Sequence, residues 1–501
     1  MEQLELLLHG INVILNWHDL ILMLFGLVLG IFVGVLPGLG GPNGVAILLP
    51  LTFSMTPVSA IIMLSCIYWG ALFGGSITSI LFNIPGDSTS VATTFDGFPM
   101  AQQGKAAEAL TLSFTGAFVG ALVGILLLTF SALALARFSL KFGPPEFFGV
   151  YLLTFCSFIG SSKGAPMKTI LSTLFGFAVA EIGMDSMSGT LRLTFGQVSL
   201  IQGVDFVVAV IGLFGIGEIL FTIERALTFK GTNVRLTPKD VFRTWAKIPR
   251  YWASLVRSCI VGCWMGVTPG GATAASFMGY GIEERFSKSK IKFGEGNPRG
   301  VLSPETAAHA SGSSSLLPML ALGIPGSATA AVLLGGLITW GLEPGPLLFK
   351  EQPDFVWGLV ASMYVSNVVG LVICLSAVPF FASIMRVSFS TIAALIIIIC
   401  AVGAYVVNNS IADIWIMVIF GVIGYVLKKL KYPLAPMVLA IVLGRRTEDA
   451  FRQSMLSSDG SLSIFWSNPL VTSLMLLAIL LAIYPLIRTS FETVSSRLRA
   501  R

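Results

Sequence analysis

Apolar residues in this chain come in long blocks separated by short polar joints. The blocks fall at 20–36, 44–82, 106–136, 146–162, 166–182 and 205–223, then at 256–268, 272–282, 301–341, 354–385, 390–407, 411–427, 434–444 and 469–487. A helix needs about 20 apolar residues to cross the hydrocarbon core of a bilayer. Several blocks reach that length, whereas 44–82 and 301–341 are interrupted by Gly and Pro. In lipid each backbone polar group must be satisfied internally, which helices achieve one segment at a time. The pattern predicts an all-α polytopic membrane protein with roughly 10–14 membrane segments. Within it, a stretch such as Leu126–Leu128 reads as lipid-facing.

The interruptions repeat. Gly34-Val35-Leu36-Pro37-Gly38 matches Gly266-Val267-Thr268-Pro269-Gly270, a separation of 232 residues (34 to 266). Asn83-Ile84-Pro85-Gly86-Asp87-Ser88-Thr89 matches Gly323-Ile324-Pro325-Gly326-Ser327-Ala328-Thr329, a separation of 240 (83 to 323). The polar stretch Glu283–Arg299, missing from the first half, absorbs the difference. A fainter match pairs Gly215-Ile216-Gly217-Glu218 with Gly444-Arg445-Arg446-Thr447-Glu448. A single Pro-Gly in a membrane helix reads as a kink or a surface turn. Two different breaks, each recurring in the other half, read as designed discontinuities.

Charge orients the halves. Between Glu224 and Arg257 lie eight basic residues opposed only by Glu224 and Asp240, which places this loop in the cytoplasm. Arg488, Arg497, Arg499 and Arg501 against Glu492 place the C-terminus there too. The N-terminal stretch, with Glu2, Glu5 and Asp19 and no cation before Lys105, is expected outside, and it lacks the n-region of a cleavable signal. The first half then crosses an odd number of times, and the second copy runs upside down. The expected organisation is a first inverted repeat (1–223), a basic cytoplasmic loop (224–257), a second inverted repeat (258–450), and an extra C-terminal transmembrane helix with a basic tail (451–501).

Composition narrows the class. Hydrophobic residues make up 55% of the 501 and charged residues 11%, about half the charge of a soluble domain. The basic residues sit in loops between spans, so no nucleic-acid partner is implied. All six cysteines lie inside apolar runs, which argues against a disulfide framework; Cys259 and Cys263, one turn apart, lack further ligands for zinc. The chain has three His and no HExxH, GxSxG or Walker A pattern. No catalytic residue, resident cofactor or metal is expected. An integral-membrane enzyme and a passive anion channel remain as rivals to a secondary transporter.

Pro37-Gly38-Leu39-Gly40-Gly41, Tyr68-Trp69-Gly70, Gly74-Gly75-Ser76, Asn83-Ile84-Pro85-Gly86 and Asp96-Gly97-Phe98-Pro99 carry a resemblance, as do Gly266–Gly271, Ser303-Pro304-Glu305, Gly323–Gly326 and Gly341–Pro346. Over roughly residues 15 to 450 the chain resembles the large membrane subunit of the tripartite tricarboxylate transporters. The resemblance implies a bacterial inner-membrane permease that takes up citrate or related carboxylates, driven by Na⁺ or H⁺. It further implies a small membrane subunit and a periplasmic solute-binding protein as partners.

The site is expected where the helices break. A helix that resumes presents free N–H groups and a positive dipole end, which attract carboxylates, and carbonyls at a helix end suit a cation. The expected substrate-binding residues are Gly38, Gly40, Gly41, Asn43, Asn83, Pro85, Gly86, Ser88, Thr89 and Ser90 in the first half. Their second-half counterparts are Gly270, Gly271, Thr273, Pro325, Gly326, Ser327 and Thr329. Asp87, Gly75, Ser76, Ser314 and Ser315 are the candidates for the coupling cation. For Asp87 an ion ligand and an N-cap are both open, and the two roles can coexist. Asn43 reads as a substrate contact or a cap. Glu305 and His309, four apart, read as a proton-handling pair or a structural one. Asp96 is expected in a surface turn, Glu181 and Asp185 at a membrane edge, and His9 and His18 exposed. Glu283–Arg299 reads as a solvated connection, with Arg299 a distant candidate for a substrate carboxylate.

Overall fold

The computed structural model describes residues 2–160, 166–185, 187–224, 236–268, 271–287, 289, 291–383 and 389–483. In the first half the helices are α1 (Glu2–Ile14), α2 (Trp17–Val35), α3 (Gly40–Leu48), α4 (Pro57–Phe82), α5 (Val91–Gln102), α6 (Ala106–Ser139), α7 (Pro144–Gly160), α8 (Pro166–Ala180) and α9 (Phe206–Glu224). Helix α10 (Pro238–Trp245) lies in the basic loop. The second half holds α11 (Trp252–Val267), α12 (Gly271–Phe286), α13 (Pro298–Ser314), α14 (Leu316–Leu322) and α15 (Ala328–Thr339). It continues with α16 (Pro353–Ser383), α17 (Phe389–Asn408), α18 (Ile411–Lys429), α19 (Leu434–Ser457) and α20 (Pro469–Ile483). The strands among the described residues form one hairpin, β1 (Gly183–Met184) with β2 (Leu191–Arg192).

This is an all-α polytopic membrane protein. Seven of these helices are long and apolar enough to cross a membrane: α2, α4, α6, α9, α16, α18 and the stretch Ser390–Asn408 of α17. Shorter apolar helices are α8, α15 and α20. The interrupted blocks resolve as expected, 44–82 into α3 and α4 and 301–341 into α13, α14 and α15. Helix α19 runs well past the apolar stretch 434–444 because its polar residues find partners. Arg445 donates from Nε to the Ala180 carbonyl (2.9 Å) and from Nη2 to the Ile182 carbonyl (2.8 Å). The fall in hydropathy therefore does not end the helix.

The helices form two compact units, each drawing on both sequence halves: residues 1–136 with 207–425, and 137–206 with 426–501. In the first unit α2 lies along α4, with Gly26, Gly30 and Gly34 facing the carbonyls of Met63, Ile67 and Ala71 too closely for any side chain. Helix α11 repeats this against α13, with Gly262 and Gly266 on the carbonyls of Ala307 and Ser311. Small residues every fourth position are how membrane helices bring backbones together when lipid offers no hydrophobic drive. Helix α9 packs on α17 and α3, its Gly212 lies against the Met417 carbonyl of α18, and its middle turn, Ile211–Ile216, is π-helical. In the second unit α19 packs on α7 and α8.

There the hairpin is pinned to α19 by charge. Arg192 pairs with Asp185 (3.0 Å), Glu448 (2.9 Å) and Glu181, and Arg452 pairs with Asp185 (3.0 Å) and Glu448 (2.7 Å). The Ser188 hydroxyl, assisted by Arg452, the Met187 N–H and Arg192, holds the Asp185 carboxyl well below the usual carboxylate range.

Three expectations are corrected. Leu126 faces outward, but Leu128 is fully buried, because a 3.6-residue period turns the run through two faces. Asp96 is not at the surface. It is fully buried, accepting N–H groups of Gly294 (2.9 Å), Gly296 (2.9 Å) and Asn297 (2.7 Å) on Oδ1 and the Tyr280 hydroxyl (2.9 Å) on Oδ2. Nor is Glu283–Arg299 a wholly solvated connection: residues 283–286 continue α12, the amides of Gly294, Gly296 and Asn297 hold Asp96, and Arg299 pairs with buried Glu283 (3.2 Å) beside Arg257 (2.7 Å). His9 and His18 are exposed, and His9 meets Asp354 at 2.6 Å.

Candidate functional site

The site assembles within the first unit from the broken helices. Helix α2 ends at Val35 because Pro37 cannot extend it, and Gly38 (φ +85°) and Gly40 (φ +56°) turn the chain into α3. Helix α4 ends on Asn83, left-handed at φ 58°, with Ile84 N–H closing onto the Thr78 carbonyl at 3.3 Å. Pro85 lies in the turn. Asp87 then caps the resuming chain: its Oδ1 accepts Thr89 N–H (3.2 Å) and Ser88 Oγ–H (3.0 Å), and the Ser90 hydroxyl donates to the Asp87 carbonyl (2.9 Å). Of the two roles open for Asp87, capping is visible.

The second half repeats the backbone. Helix α14 ends on Gly323 at φ 71°, Ile324 N–H closes onto the Pro318 carbonyl at 3.2 Å, and Ser327 caps α15 by accepting Ala330 N–H at 3.1 Å. A tertiary contact recurs as well. A side chain at Gly86 would collide with the Gly34 carbonyl, and one at Gly326 would stand 2.5 Å from the Gly266 carbonyl. In each half the glycine after the second proline therefore seats on the glycine that opens the first break. Pro269 and Gly270 lie outside the described residues.

Asp87 also joins the two breaks of its own half, since its Oδ2 accepts Gly41 N–H at 3.0 Å. The halves meet here. Ser88 Oγ is 2.8 Å from Thr273 Oγ1, and a Cβ on Gly41 would lie 3.1 Å from Thr329 Oγ1 and 3.2 Å from the Tyr68 ring. The first turns of α3, α5, α12 and α15 thus converge, each with N–H groups that lack intrahelical partners. Ser88 and Gly38 are solvent-exposed at this cluster, while Thr89, Ser90, Ser327 and Thr329 are buried. Gly271 opens α12 at φ +74° with open space around it.

Other expected residues stand at the edge of the cluster or behind it. Asn43 donates to the Gly38 carbonyl (2.8 Å) and approaches Glu218 (3.4 Å). Gly75 lies behind the cap, where a Cβ would be 3.1 Å from Ser90 Oγ. The hydroxyls of Ser76, Ser314 and Ser315 turn back onto helix carbonyls of Phe73 (3.0 Å), Ala310 (2.7 Å) and Gly312 (2.8 Å).

Two participants escaped the sequence reading. Buried Glu218 on α9 brings Oε1 to 2.5 Å from where a Gly38 side chain would stand. An acid inside the apolar block 205–223 was the available signal. Tyr68 lies between Gly41 and Gly312, with its hydroxyl beside Ser315 and Ser327. Nothing in its position along α4 announces that role.

A polytopic helical bundle whose helices break at paired positions, with four helix N-termini converging, defines a membrane transport protein of the broken-helix class. Residues 20–439 match the tripartite tricarboxylate transporter TctA family. The chain belongs to that family and is the membrane component of a tripartite transporter. It is 34% identical over 502 residues to an uncharacterized 52.8 kDa protein of the TAR-I ttuC' 3' region of Agrobacterium vitis, covering 99% of both chains. It is also 34% identical over 237 residues to an uncharacterized protein of the TAR-II ttuC' 3' region of the same organism, spanning 46% of this chain and 98% of that one. No solved structure matches.

Proposed function

We propose that this chain is the permease subunit that imports tricarboxylates or related small carboxylates, citrate-like in chemistry, across the bacterial inner membrane. Substrate arrives from a periplasmic solute-binding protein, a small membrane subunit completes the assembly, and a cation gradient drives alternating access between two inverted repeats. The N-terminus, with no cation before Lys105, is periplasmic, and the basic residues of the 224–257 loop and the C-terminus support a cytoplasmic side for both.

One observation carries this reading. Helix ends from both halves converge where Ser88 meets Thr273 at 2.8 Å, and among the described residues no lysine or arginine bonds to Asp87. A substrate with several carboxylates is matched there by several N-terminal dipoles and small hydroxyls rather than by one ion pair. Binding that depends on both halves at once is what alternating access requires.

Uptake of labelled citrate by proteoliposomes holding the assembled transporter tests the reading. Citrate should accumulate above its external concentration under an imposed Na⁺ or proton gradient, without ATP. Equilibration without accumulation would instead identify the passive channel.

A further inference from the structure

We propose that Glu305 is the carboxyl that takes up and releases a coupling proton, with Thr93 and His309 as its positioning residues. This rests on the cation-coupled reading and names its ion. Glu305 sits on α13 and is 2% exposed. Among the described residues its carboxyl has one hydrogen-bond partner, the Thr93 hydroxyl, 2.5 Å from Oε1. His309, one turn on, is 1% exposed; its Nδ1 lies 3.0 Å from the Glu305 carbonyl oxygen and 3.7 Å from Oε2. His309 Nε2 is buried with no partner among the described residues, and the ring packs on Phe73 with centroids 5.0 Å apart.

Burying a carboxylate costs several kcal/mol unless a cation or a full set of donors compensates it. The elements around α13 supply neither. On α5, Asp96 is engaged by the 294–297 amides and Tyr280 of α12. On α12, Glu283 holds Arg257 of α11 and Arg299 of α13, while Glu284 and Arg285 are exposed. Also on α11, Cys259 and Cys263 carry no charge. On α6, Glu108 is paired with Lys247 at 2.6 Å, and Arg137 lies at the helix's far end. Asp87, ahead of α5, acts on Glu305 electrostatically and is itself an acid. A hard metal cation would need a shell of oxygens, whereas among the described residues the Glu305 carboxyl meets the Thr93 hydroxyl and the His309 imidazole. A proton on the carboxyl is the compensation the geometry leaves.

Thr93 gives that proton a route to the substrate site. It stands on α5, directly after the cap formed by Asp87. A carboxylate can only accept the Thr93 O–H, whereas the carboxylic acid can donate to the same oxygen. Loading the proton therefore permits the bond that ties α5 to α13 to reverse, and the helical turn Ser88–Ser90 leads directly into α5.

The test uses the transporter reconstituted with its partner subunits and labelled citrate as probe. An inward proton gradient at equal Na⁺ should drive accumulation by the parent. Glu305→Gln, which cannot cycle a proton, should abolish that accumulation, yet keep citrate counterflow, which needs no net ion movement. Infrared difference spectra on citrate addition should show a buried protonated-carboxyl band in the parent that vanishes in Glu305→Gln. Should that variant misfold, Thr93→Val serves instead, with the band shifted and the pH profile of uptake displaced. Accumulation by Glu305→Gln equal to the parent, or an unchanged band, overturns the proposal. Parent uptake that follows Na⁺ alone overturns it while leaving cation coupling intact, and no accumulation under either gradient removes both.

Discussion

The second break of the first half and that of the second half have nearly the same backbone and different chemistry. Asn83 and Gly323 end their helices at φ 58° and 71°, and the closing bonds differ by 0.1 Å (3.3 against 3.2 Å). One residue past the turn glycine the copies part. The Asp87 carboxylate accepts Gly41, Ser88 and Thr89 donors, while the Ser327 hydroxyl accepts Ala330 N–H. The second half has an acid of its own in Glu305, at the position that corresponds to Ser65 in the first. The two breaks share a fold and divide the charge, one acid at the helix end and one behind it. A binding site needs the shared geometry twice, whereas a coupling device needs each acid once.

The hardest test of the shared geometry is steric. Gly86→Leu and Gly326→Leu should each abolish citrate uptake while the protein still inserts, because the side chain must displace the Gly34 or Gly266 carbonyl, and overpacking of this kind costs about 1–3 kcal/mol or more. Since the approach at Gly86 is the closer, Gly86→Ala should be worse than Gly326→Ala. Unchanged uptake in both leucine variants would reduce the breaks to kinks.

The divided charge gives an intermediate effect. Asp87→Asn weakens charge-assisted bonds to Gly41 and Thr89, worth about 1.5–3 kcal/mol, so uptake should fall ten- to a hundredfold by that measure. Ser327→Ala removes an N-cap worth about 1 kcal/mol. If the exchange Asp87→Ser with Ser327→Asp restores full uptake, the asymmetry has no function.

The smallest effect belongs to the contact between the halves. Ser88→Ala or Thr273→Ala should weaken apparent citrate affinity several-fold, as the loss of one hydroxyl contact costs about 1 kcal/mol. The double variant should do little more than either single one, since both remove the same bond.

Much of this frame is legible in the sequence because lipid makes hydropathy informative. The blocks 205–223 and 411–427 became Phe206–Glu224 and Ile411–Lys429. The breaks are legible because Pro and Gly act locally and the repeat marks them as intended. What the sequence hides is pairing over distance. Asp96 is satisfied by amides about 200 residues away (96 to 297), and Glu218 reaches Gly38 across 180 (38 to 218). The faint match of Glu218 with Glu448 gave no hint that one would line the break and the other join an ion-pair network.

The seating of Gly86 on Gly34 has a mechanical consequence. A carbonyl lodged against a bare Cα leaves no slack, so the two breaks of one half behave as a single stiff piece, and Gly326 on Gly266 makes a second. One of the contacts between the halves is the hydroxyl pair Ser88 and Thr273, which water can replace at little cost. A change at that pair would leave the two breaks of each half locked to each other.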